Sequence, residues 1–114
     1  IGIGTDVIEV DRIEKAISDE NFVKRFLTEK EIFSLKDSGA ERYAGRFACK
    51  EAVVKALGTG FGEVSPLDFE ITNSVNGRPI VTFLKDDYKD MKLMVSISHI
   101  KSVATANAIC FMED

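Results

Sequence analysis

The sequence predicts an α+β fold: an N-terminal strand and several helices, one of them long and central, packed on an antiparallel sheet of C-terminal hairpins. Three observations predict it. A helical run of about five turns extends from Ser38 to Gly58 without a proline. Segments in the second half alternate apolar and polar side chains, as half-buried strands do. Asn76-Gly77 is a strong hairpin signal between two of them. At 114 residues, a single domain over residues 1–114 is expected.

The first residues, Ile1 to Ile8, alternate in a way that predicts a strand, with Asp6 on the same face as Gly2 and Gly4. Glycine within a strand often marks the close approach of another backbone or of a ligand. Asp6 is therefore either a solvated residue at a sheet edge or a group that binds a ligand. The strand pattern alone does not decide between them.

Short helices are predicted after this strand from their N-terminal capping patterns. A polar side chain at a helix start accepts hydrogen bonds from the first free backbone N–H groups. The predicted starts are Asp11 with Glu14, Asn21, and Thr28 with Glu31 as a capping box.

The long central helix is predicted to begin with a capping box of Ser38 and Glu41 and to end at Gly58, which suits a left-handed C-cap. By the helical period, its apolar arc consists of Ala44, Phe47, Ala48, Ala52 and Val54. Glu51 and Lys55 lie within that arc, where a charge is costly to bury unless it is paired or binds something. They form either an ordinary i,i+4 pair on the helix surface or part of a functional site.

The loop that follows, Gly58-Thr59-Gly60-Phe61-Gly62, has three glycines in five residues. Such a loop lets the backbone pass close to a ligand. It is not a phosphate-binding loop of the Walker type, because that loop precedes its helix and carries Gly-Lys-Ser/Thr.

Two hairpins are predicted in the second half. The first pairs Leu67–Asn73 with Pro79–Leu84, and the second pairs Leu93–His99 with Val103–Met112. Small residues that allow close packing of the second hairpin are Ser96, Ser98, Ala104, Ala106 and Ala108. Because long apolar strands leave edges that must be paired or covered, a self-association surface is expected. His99, the only histidine, either closes its strand with a hydrogen bond to a turn or has a chemical role.

Composition excludes some classes of function. A net charge of −4 argues against a general nucleic-acid binder, which needs a basic face. No apolar run is long enough to span a membrane, and no signal peptide is expected. Cys49 and Cys110 do not have the spacing of a zinc site, so both are expected to be buried free thiols in a protein of the reducing cytoplasm.

Four motifs, in this order over nearly the whole chain, are together far more specific than any one alone. They are Gly2-Ile3-Gly4-Thr5-Asp6, Arg46-Phe47-Ala48-Cys49-Lys50-Glu51-Ala52, Lys55-Ala56-Leu57-Gly58-Thr59-Gly60 and Ser96-Ile97-Ser98-His99. They resemble the holo-acyl-carrier-protein synthase family of 4′-phosphopantetheinyl transferases. The resemblance implies the α+β fold of that family and a homotrimer with active sites at the subunit interfaces. It also implies a Mg²⁺-dependent reaction of fatty acid biosynthesis, which moves phosphopantetheine from coenzyme A to a serine of apo acyl carrier protein and releases adenosine 3′,5′-bisphosphate.

The resemblance also implies roles for individual residues. Asp6 and Glu51 would be the metal ligands, which suits the preference of Mg²⁺ for carboxylate oxygen and water. Lys55, one turn beyond Glu51, would stabilise the phosphates as a compact point charge. These three are the predicted catalytic residues, and the serine nucleophile belongs to the carrier protein. The acceptor of its proton is left open between a carboxylate and a metal-bound water.

Further residues are predicted, on the same resemblance, to bind the coenzyme. They are Arg46 and His99 near the 3′-phosphate of the nucleotide, with His99 from a neighbouring subunit, Lys55 at the phosphates, and Gly58, Thr59 and Gly60 of the glycine-rich loop.

Basic residues near the N-terminus are either a solvated face or a docking surface for the acidic carrier protein. The resemblance favours docking through Arg12, Lys24 and Arg25. Two other functions are considered: a non-catalytic binding module that keeps the fold, and a transferase of broad specificity that acts on multienzyme synthases. The short chain argues against the second, because such enzymes usually consist of two fused halves.

Overall fold

Two antiparallel sheets and one long helix make up most of the fold. The structure is a computed structural model and describes residues 1–58 and 63–112. Its helices are α1 (Val10–Ala16), α2 (Glu20–Phe26), α3 (Glu29–Leu35) and α4 (Ala40–Leu57). Its strands are β1 (Gly2–Glu9), β2 (Phe69–Asn73), β3 (Pro79–Phe83), β4 (Met91–His99) and β5 (Val103–Met112), with single 3₁₀ turns at Pro66–Asp68 and Asp86–Tyr88. The predicted α+β class is confirmed.

The larger sheet has the order β1-β5-β4, and β2 pairs with β3 in a separate sheet. All the pairings are antiparallel, and Asp6 of β1 lies opposite Ala106 of β5. Both predicted hairpins are present. At the tip of the first, Gly77 has a φ of 86°, a conformation that glycine adopts without strain. The first strand, β1, pairs with the last, β5, and no local sequence pattern predicts that pairing.

Helix α4 lies directly against the backbone of β1. A Cβ atom on Gly4 would lie 2.0 Å from the carbonyl oxygen of Ala52, and one on Gly2 would lie 1.9 Å from that of Ala56. The predicted close approach at these glycines is therefore made by the protein's own helix. It leaves Asp6, the next residue on this face of β1, beside the C-terminal half of α4.

The small residues of the β4–β5 hairpin do not share one face. Ala104, Ala106 and Ala108 are fully buried in the core. Ser96 and Ser98 are exposed on the outer face of the sheet, where they pair across the strands with Asn107 and Thr105. The alanines thus allow close packing of the core, and the outer face contains larger apolar residues.

Several helix starts differ from the predicted ones. The N-cap of α4 is Gly39 without a side-chain hydrogen bond, and the Ser38 hydroxyl instead accepts a hydrogen bond from Arg42 Nη1 at 3.1 Å. The capping box predicted there is wrong, because the helix begins one residue later than that pattern requires. Asp19 caps α2 in place of Asn21, whose backbone N–H it accepts.

Helix α1 follows Glu9 directly from β1, with Asp11 inside its first turn. The capping box of Thr28 and Glu31 is confirmed, as is the left-handed C-cap at Gly58 with a φ of 77°. Strand β2 begins at Phe69 rather than at Leu67, because the residues before it form a capped 3₁₀ turn. None of the helices within residues 1–58 and 63–112 is long and apolar enough to cross a membrane.

Candidate active site

Asp6 and Glu51, the predicted metal ligands, line a cleft of about 550 Å³ between β1, α1, α2 and α4, together with Glu9 at the end of β1. Asp6 comes from β1, and Glu51 comes from the middle of α4, where it is half-buried. Burial raises the pKa of Glu51, the negative charge of Asp6 raises it further, and the charge of Lys55 partly offsets both. The two carboxylates are therefore close enough to repel each other. Two such groups facing one cleft are favourable when a cation lies between them.

Lys55 bridges the helix and the strand. Its Nζ lies 3.1 Å from Asp6 Oδ1 and donates to the backbone oxygen of Thr5 at 3.0 Å. The ordinary i,i+4 pair with Glu51, one of the two sequence alternatives, is not the ion pair that Lys55 makes. Because 53% of its side chain is exposed, the pair with Asp6 adds little stability, and the lysine can move to another anion.

The rest of the cleft is mostly apolar, with one further carboxylate and one positive charge. Apolar Val7, Ile8, Ile13, Ala16 and Phe22 line it, together with Glu9 and Arg12. Phe22 stacks on Phe47 of α4 with ring centroids 5.3 Å apart. An apolar wall beside carboxylates, with Arg12 in the lining and Lys55 paired to Asp6, suits a ligand that has an apolar arm and a phosphate bound through a cation.

The donor set of the cleft fits a hard divalent cation. Mg²⁺ commonly binds one or two carboxylates and completes its octahedron with water and substrate phosphate, and Asp6 and Glu51 supply that number. No group of three or more His, Cys, Asp or Glu side chains arranged for a metal occurs within the described parts of the chain. Asp6 and Glu51 therefore suit a metal that shares its ligands with a substrate rather than a closed structural site.

Arg46 and His99 line a second, smaller pocket of about 190 Å³, apart from the carboxylate cleft. Its lining comes from α4, the β2–β3 hairpin and β4: Arg42, Gly45, Arg46, Asn73, Gly77, Pro79, Ile97 and His99. Three of these side chains are basic. The two residues predicted to lie near one phosphate thus line one pocket of the same chain, whereas His99 was expected to come from a neighbouring subunit.

The Arg46 guanidinium is buried and forms hydrogen bonds within the protein. It is only 4% exposed. Nη1 donates to the backbone oxygen of Ile71, and Nη2 donates to Asn73 Oδ1 at 3.1 Å. Burial lowers the pKa of Arg46, and the charge of Glu31 opposes that effect. Arg46 fastens α4 to β2 at the same time as it lines the pocket.

The remaining predicted residues are dispersed. Arg12 lines the carboxylate cleft, whereas Lys24 lines a groove with the exposed Phe33. Arg25 follows Lys24 in the last turn of α2. Gly58 is the C-cap of α4, and the other predicted loop residues, Thr59 and Gly60, lie outside the described residues.

Sequence reasoning missed two buried charges, Glu31 and Lys50, which are both fully buried. Nζ of Lys50 lies 2.7 Å from Oε1 of Glu31. A signal was available, since Lys50 follows Arg46 by four residues, and two like charges at that spacing are unfavourable on a free helix surface. The spacing indicates that both side chains have partners elsewhere.

The fold and the cleft together define a small α+β protein whose two carboxylates and lysine suit a divalent cation and a phosphate. Comparison with known proteins identifies the family. Residues 2–108 match the model of the 4′-phosphopantetheinyl transferase superfamily. The chain therefore belongs to that superfamily, and its curated relatives are holo-[acyl-carrier-protein] synthases.

Two such relatives come from Fusobacterium nucleatum and Clostridium botulinum. The first is 44% identical over 118 residues, covering 96% of this chain and 97% of the relative. The second is 46% identical over 116 residues, covering 95% and 94%. Among solved structures, the Helicobacter pylori synthase in complex with coenzyme A has a TM-score of 0.88 at 38% identity, covering 96% of this chain and 99% of that one. The Bacillus anthracis synthase in complex with CoA (3′,5′-ADP) has a TM-score of 0.88 at 41% identity, covering 99% and 97%.

Proposed function

We propose that this protein transfers the 4′-phosphopantetheine group of coenzyme A to a serine of apo acyl carrier protein in a Mg²⁺-dependent reaction. The products are holo acyl carrier protein and adenosine 3′,5′-bisphosphate. The observation that carries the proposal is that Asp6 and Glu51 line one cleft and that Lys55 forms an ion pair with Asp6. The names of the relatives and the coenzyme complexes of two similar structures support it.

In this reaction the serine oxygen of the carrier forms a bond to the phosphorus that holds the pantetheine arm. The bond from that phosphorus to the leaving nucleotide breaks, and the nucleotide takes the electron pair. The serine proton must also leave, and the candidate acceptors that this chain contributes to the cleft are the carboxylates of Asp6, Glu9 and Glu51. The apolar wall around Phe22 holds the pantetheine arm away from water.

Charge on the phosphates increases during the transfer and must be stabilised. Asp6 and Glu51 would hold Mg²⁺, which supplies neutralising positive charge at the pyrophosphate when bound. Lys55 moves from Asp6 to a phosphate oxygen, which its exposed side chain permits. The enzyme's task is mainly positioning and electrostatic stabilisation, because the nucleophile comes from the partner.

The nucleotide end of the coenzyme is assigned to the pocket of Arg42, Arg46 and His99, whose basic side chains suit a 3′-phosphate. The loop from Gly58 to Gly60 follows Lys55 closely in the sequence and is proposed to line the coenzyme. We propose that the carrier docks through Arg12, Lys24 and Arg25. Arg12 borders the carboxylate cleft, and the other two lie on the last turn of α2.

A homotrimer with sites at the subunit interfaces is part of the proposal. The outer face of the β1-β5-β4 sheet exposes Ile3, Val7, Met94 and Ile109. Exposed apolar surface of this kind commonly marks an association surface. The proposed compartment is the cytoplasm, and the proposed pathway is fatty acid biosynthesis. Two buried free thiols suit a reducing environment.

The direct test is to incubate the protein with coenzyme A, Mg²⁺ and apo acyl carrier protein and to weigh the carrier by mass spectrometry. The expected result is a gain of one phosphopantetheine group. Omission of coenzyme A, addition of a chelator, or replacement of the carrier serine by alanine should each abolish it. A binding module that only keeps the fold would leave the mass of the carrier unchanged in every arm.

A further inference from the structure

Glu31 of α3 and Lys50 of α4 are fully buried charges that the proposed reaction does not use. Lys50 directly precedes Glu51 in the chain. Burial lowers the pKa of Lys50, and the neighbouring Glu31 carboxylate opposes that effect. Removing two charges from water is expensive, and apolar residues in their place often stabilise a protein as well or better. Stability alone therefore does not explain the pair.

The hydrogen bonds of the pair lead to β2, which pairs with β3 on one side. In an antiparallel pair, the peptide groups of alternate residues point toward the partner strand. On β2 the residues that point to β3 are the even-numbered ones, since Asp68 O accepts from Leu84 N and Ser74 N donates to Arg78 O at the two ends. Phe69 and Ile71 therefore present their N–H and C=O groups to the opposite edge.

Charged side chains satisfy that opposite edge. Oε2 of Glu31 accepts from Ile71 N at 2.8 Å, and Nζ of Lys50 donates to Phe69 O at 3.0 Å. Arg46 donates to Ile71 O. These are the three buried charged residues of the described chain, and all three bond to the same edge of β2. They take the place of a neighbouring strand.

The hairpin held in this way forms one wall of the nucleotide pocket. Asn73, Gly77 and Pro79 line it from the hairpin, opposite Arg46 of α4 and His99 of β4. Arg46 bonds to both Ile71 and Asn73, so a shift of β2 against α4 would move the guanidinium and the amide of the pocket together. Glu31 and Lys50 fix the position of β2 against α4 without lining the pocket themselves.

We propose that Glu31 and Lys50 are positioning residues for the nucleotide pocket, acting on it through β2 and Arg46. This inference rests on the proposed function for the identity of the ligand. It assigns to the pair a role in coenzyme affinity that is separate from folding and from carrier docking.

The test uses the double variant Glu31→Gln/Lys50→Met, because Lys50→Met alone would leave a buried carboxylate without its partner. Adenosine 3′,5′-bisphosphate is the probe, and its Kd is measured by calorimetry at a temperature where circular dichroism shows every variant folded. The double variant should bind the probe at least tenfold more weakly. Its KM for apo acyl carrier protein should stay within twofold, and the amide hydrogen of Ile71 should exchange faster.

Leu35→Ala is the matched control. Leu35 lies on α3 like Glu31 and is also fully buried, but it packs in a core cluster with Val10, Ile13, Leu27, Ala44, Phe47 and Ala104, none of which belongs to β2. This variant should lower Tm and keep the Kd of the probe within twofold.

Three outcomes would overturn the proposal. If the folded double variant binds the probe with wild-type affinity, Glu31 and Lys50 contribute only to stability. A similar loss of affinity in Leu35→Ala would attribute the effect to stability in general. No binding of the probe to the wild-type protein would remove the nucleotide pocket as well, and the carrier mass assay would then report separately whether the proposed transfer takes place.

Discussion

Lys55 of α4 forms its ion pair with Asp6 of β1, with Nζ 3.1 Å from Oδ1, and not with Glu51 one turn earlier on its own helix. The contact joins residues 49 positions apart in sequence. It leaves Glu51 free to act with Asp6 as one of two oxygen donors of the cleft. Glu51 and Lys55, which have the spacing of an ordinary pair on a helix surface, therefore have different partners and different proposed roles.

Asp6 and Glu51 are expected to act as a unit. Glu51→Gln keeps the shape of the side chain and removes its charge, so the helix should still form. If the two carboxylates hold one ion, loss of either should lower kcat by on the order of a hundredfold or more. Asp6→Asn combined with Glu51→Gln should then reduce kcat far less than the product of the two single effects. The measurement is a double-mutant cycle on kcat at saturating Mg²⁺, with circular dichroism as the control for folding. Independent effects that multiply would contradict a shared metal site.

Gly4 is expected to tolerate no side chain. A Cβ atom there would lie 2.0 Å from the carbonyl oxygen of Ala52, and a helix backbone cannot yield as a side chain would. Gly4→Ala should lower the free energy of unfolding in urea by about 3 kcal/mol or more, since α4 must move away from β1. Gly39→Ala is the control, because the nearest atom would be a side-chain oxygen of Glu41 at 3.7 Å. Equal stability of the two variants would mean that α4 does not lie against β1 as described.

Local signals in the sequence predicted most of the elements. The capping box at Thr28, the C-cap at Gly58 and the turn at Gly77 depend on neighbouring residues, and each is confirmed. The capping box at Ser38 is wrong because α4 begins one residue later than the pattern requires, and the Ser38 hydroxyl instead accepts a hydrogen bond from Arg42 in the first turn of α4. A sequence motif shows which side chains could form a cap, and the surrounding structure determines which hydrogen bonds form.

Long-range contacts in the site were beyond the sequence patterns. The pairing of β1 with β5 and the contact of Lys55 with Asp6 join distant segments. The pairing was not predicted, and only the resemblance to a family placed Asp6 and Lys55 at one site. The partners of Lys50 and Arg46 are backbone atoms of β2, and a backbone atom carries no residue-specific signal. The spacing of Arg46 and Lys50 indicated that both had partners, but it did not indicate that Glu31, 19 positions before Lys50, was one of them.

Carrier docking is expected to be electrostatic. Arg25→Glu reverses a charge on the last turn of α2 and should raise the KM for acyl carrier protein on the order of tenfold, with little change in the KM for coenzyme A. Added salt should weaken carrier binding to the wild-type protein more than to the variant, because salt screens exposed charges. Lys89→Glu, a reversal at an exposed lysine just before β4, serves as the control. Similar changes in both KM values would remove Arg25 from the docking surface.

The protein is expected to be a trimer whose contact includes the outer face of the larger sheet. Ile3, Ile109 and Met94 lie side by side across β1, β5 and β4, and they are 76%, 45% and 60% exposed. Ile109→Glu would bury a charge at the centre of that contact, so light scattering should report a smaller species with unchanged circular dichroism. Val75→Glu, on the fully exposed tip of the β2–β3 hairpin, should leave the mass at three chains. A trimer that persists in Ile109→Glu would require a different contact surface.

Stability is expected to fall above about pH 8.5, the usual pKa of an unfolded cysteine. Burial of Cys49 in α4 raises the pKa of its thiol to about 12. Between these two values the folded chain keeps a proton that the unfolded chain loses. Since the unfolded state then binds fewer protons, the free energy of unfolding decreases as pH rises, by up to about 1.4 kcal/mol per pH unit. Urea denaturation at pH 8 and pH 10 should therefore show a loss of about 2 kcal/mol, to be compared with Cys49→Ala.

The alanine variant separates this thiol from every other titrating group. Cys110, whose pKa burial also raises, remains in Cys49→Ala and contributes a slope of the same sign. The difference between wild type and Cys49→Ala across that pH range isolates the share of Cys49. It should be positive at pH 8 and shrink by pH 10, because only the wild-type folded state must retain the Cys49 proton. A difference that stays constant would mean that the Cys49 thiol titrates alike in both states, and it would contradict the burial of this side chain in the core.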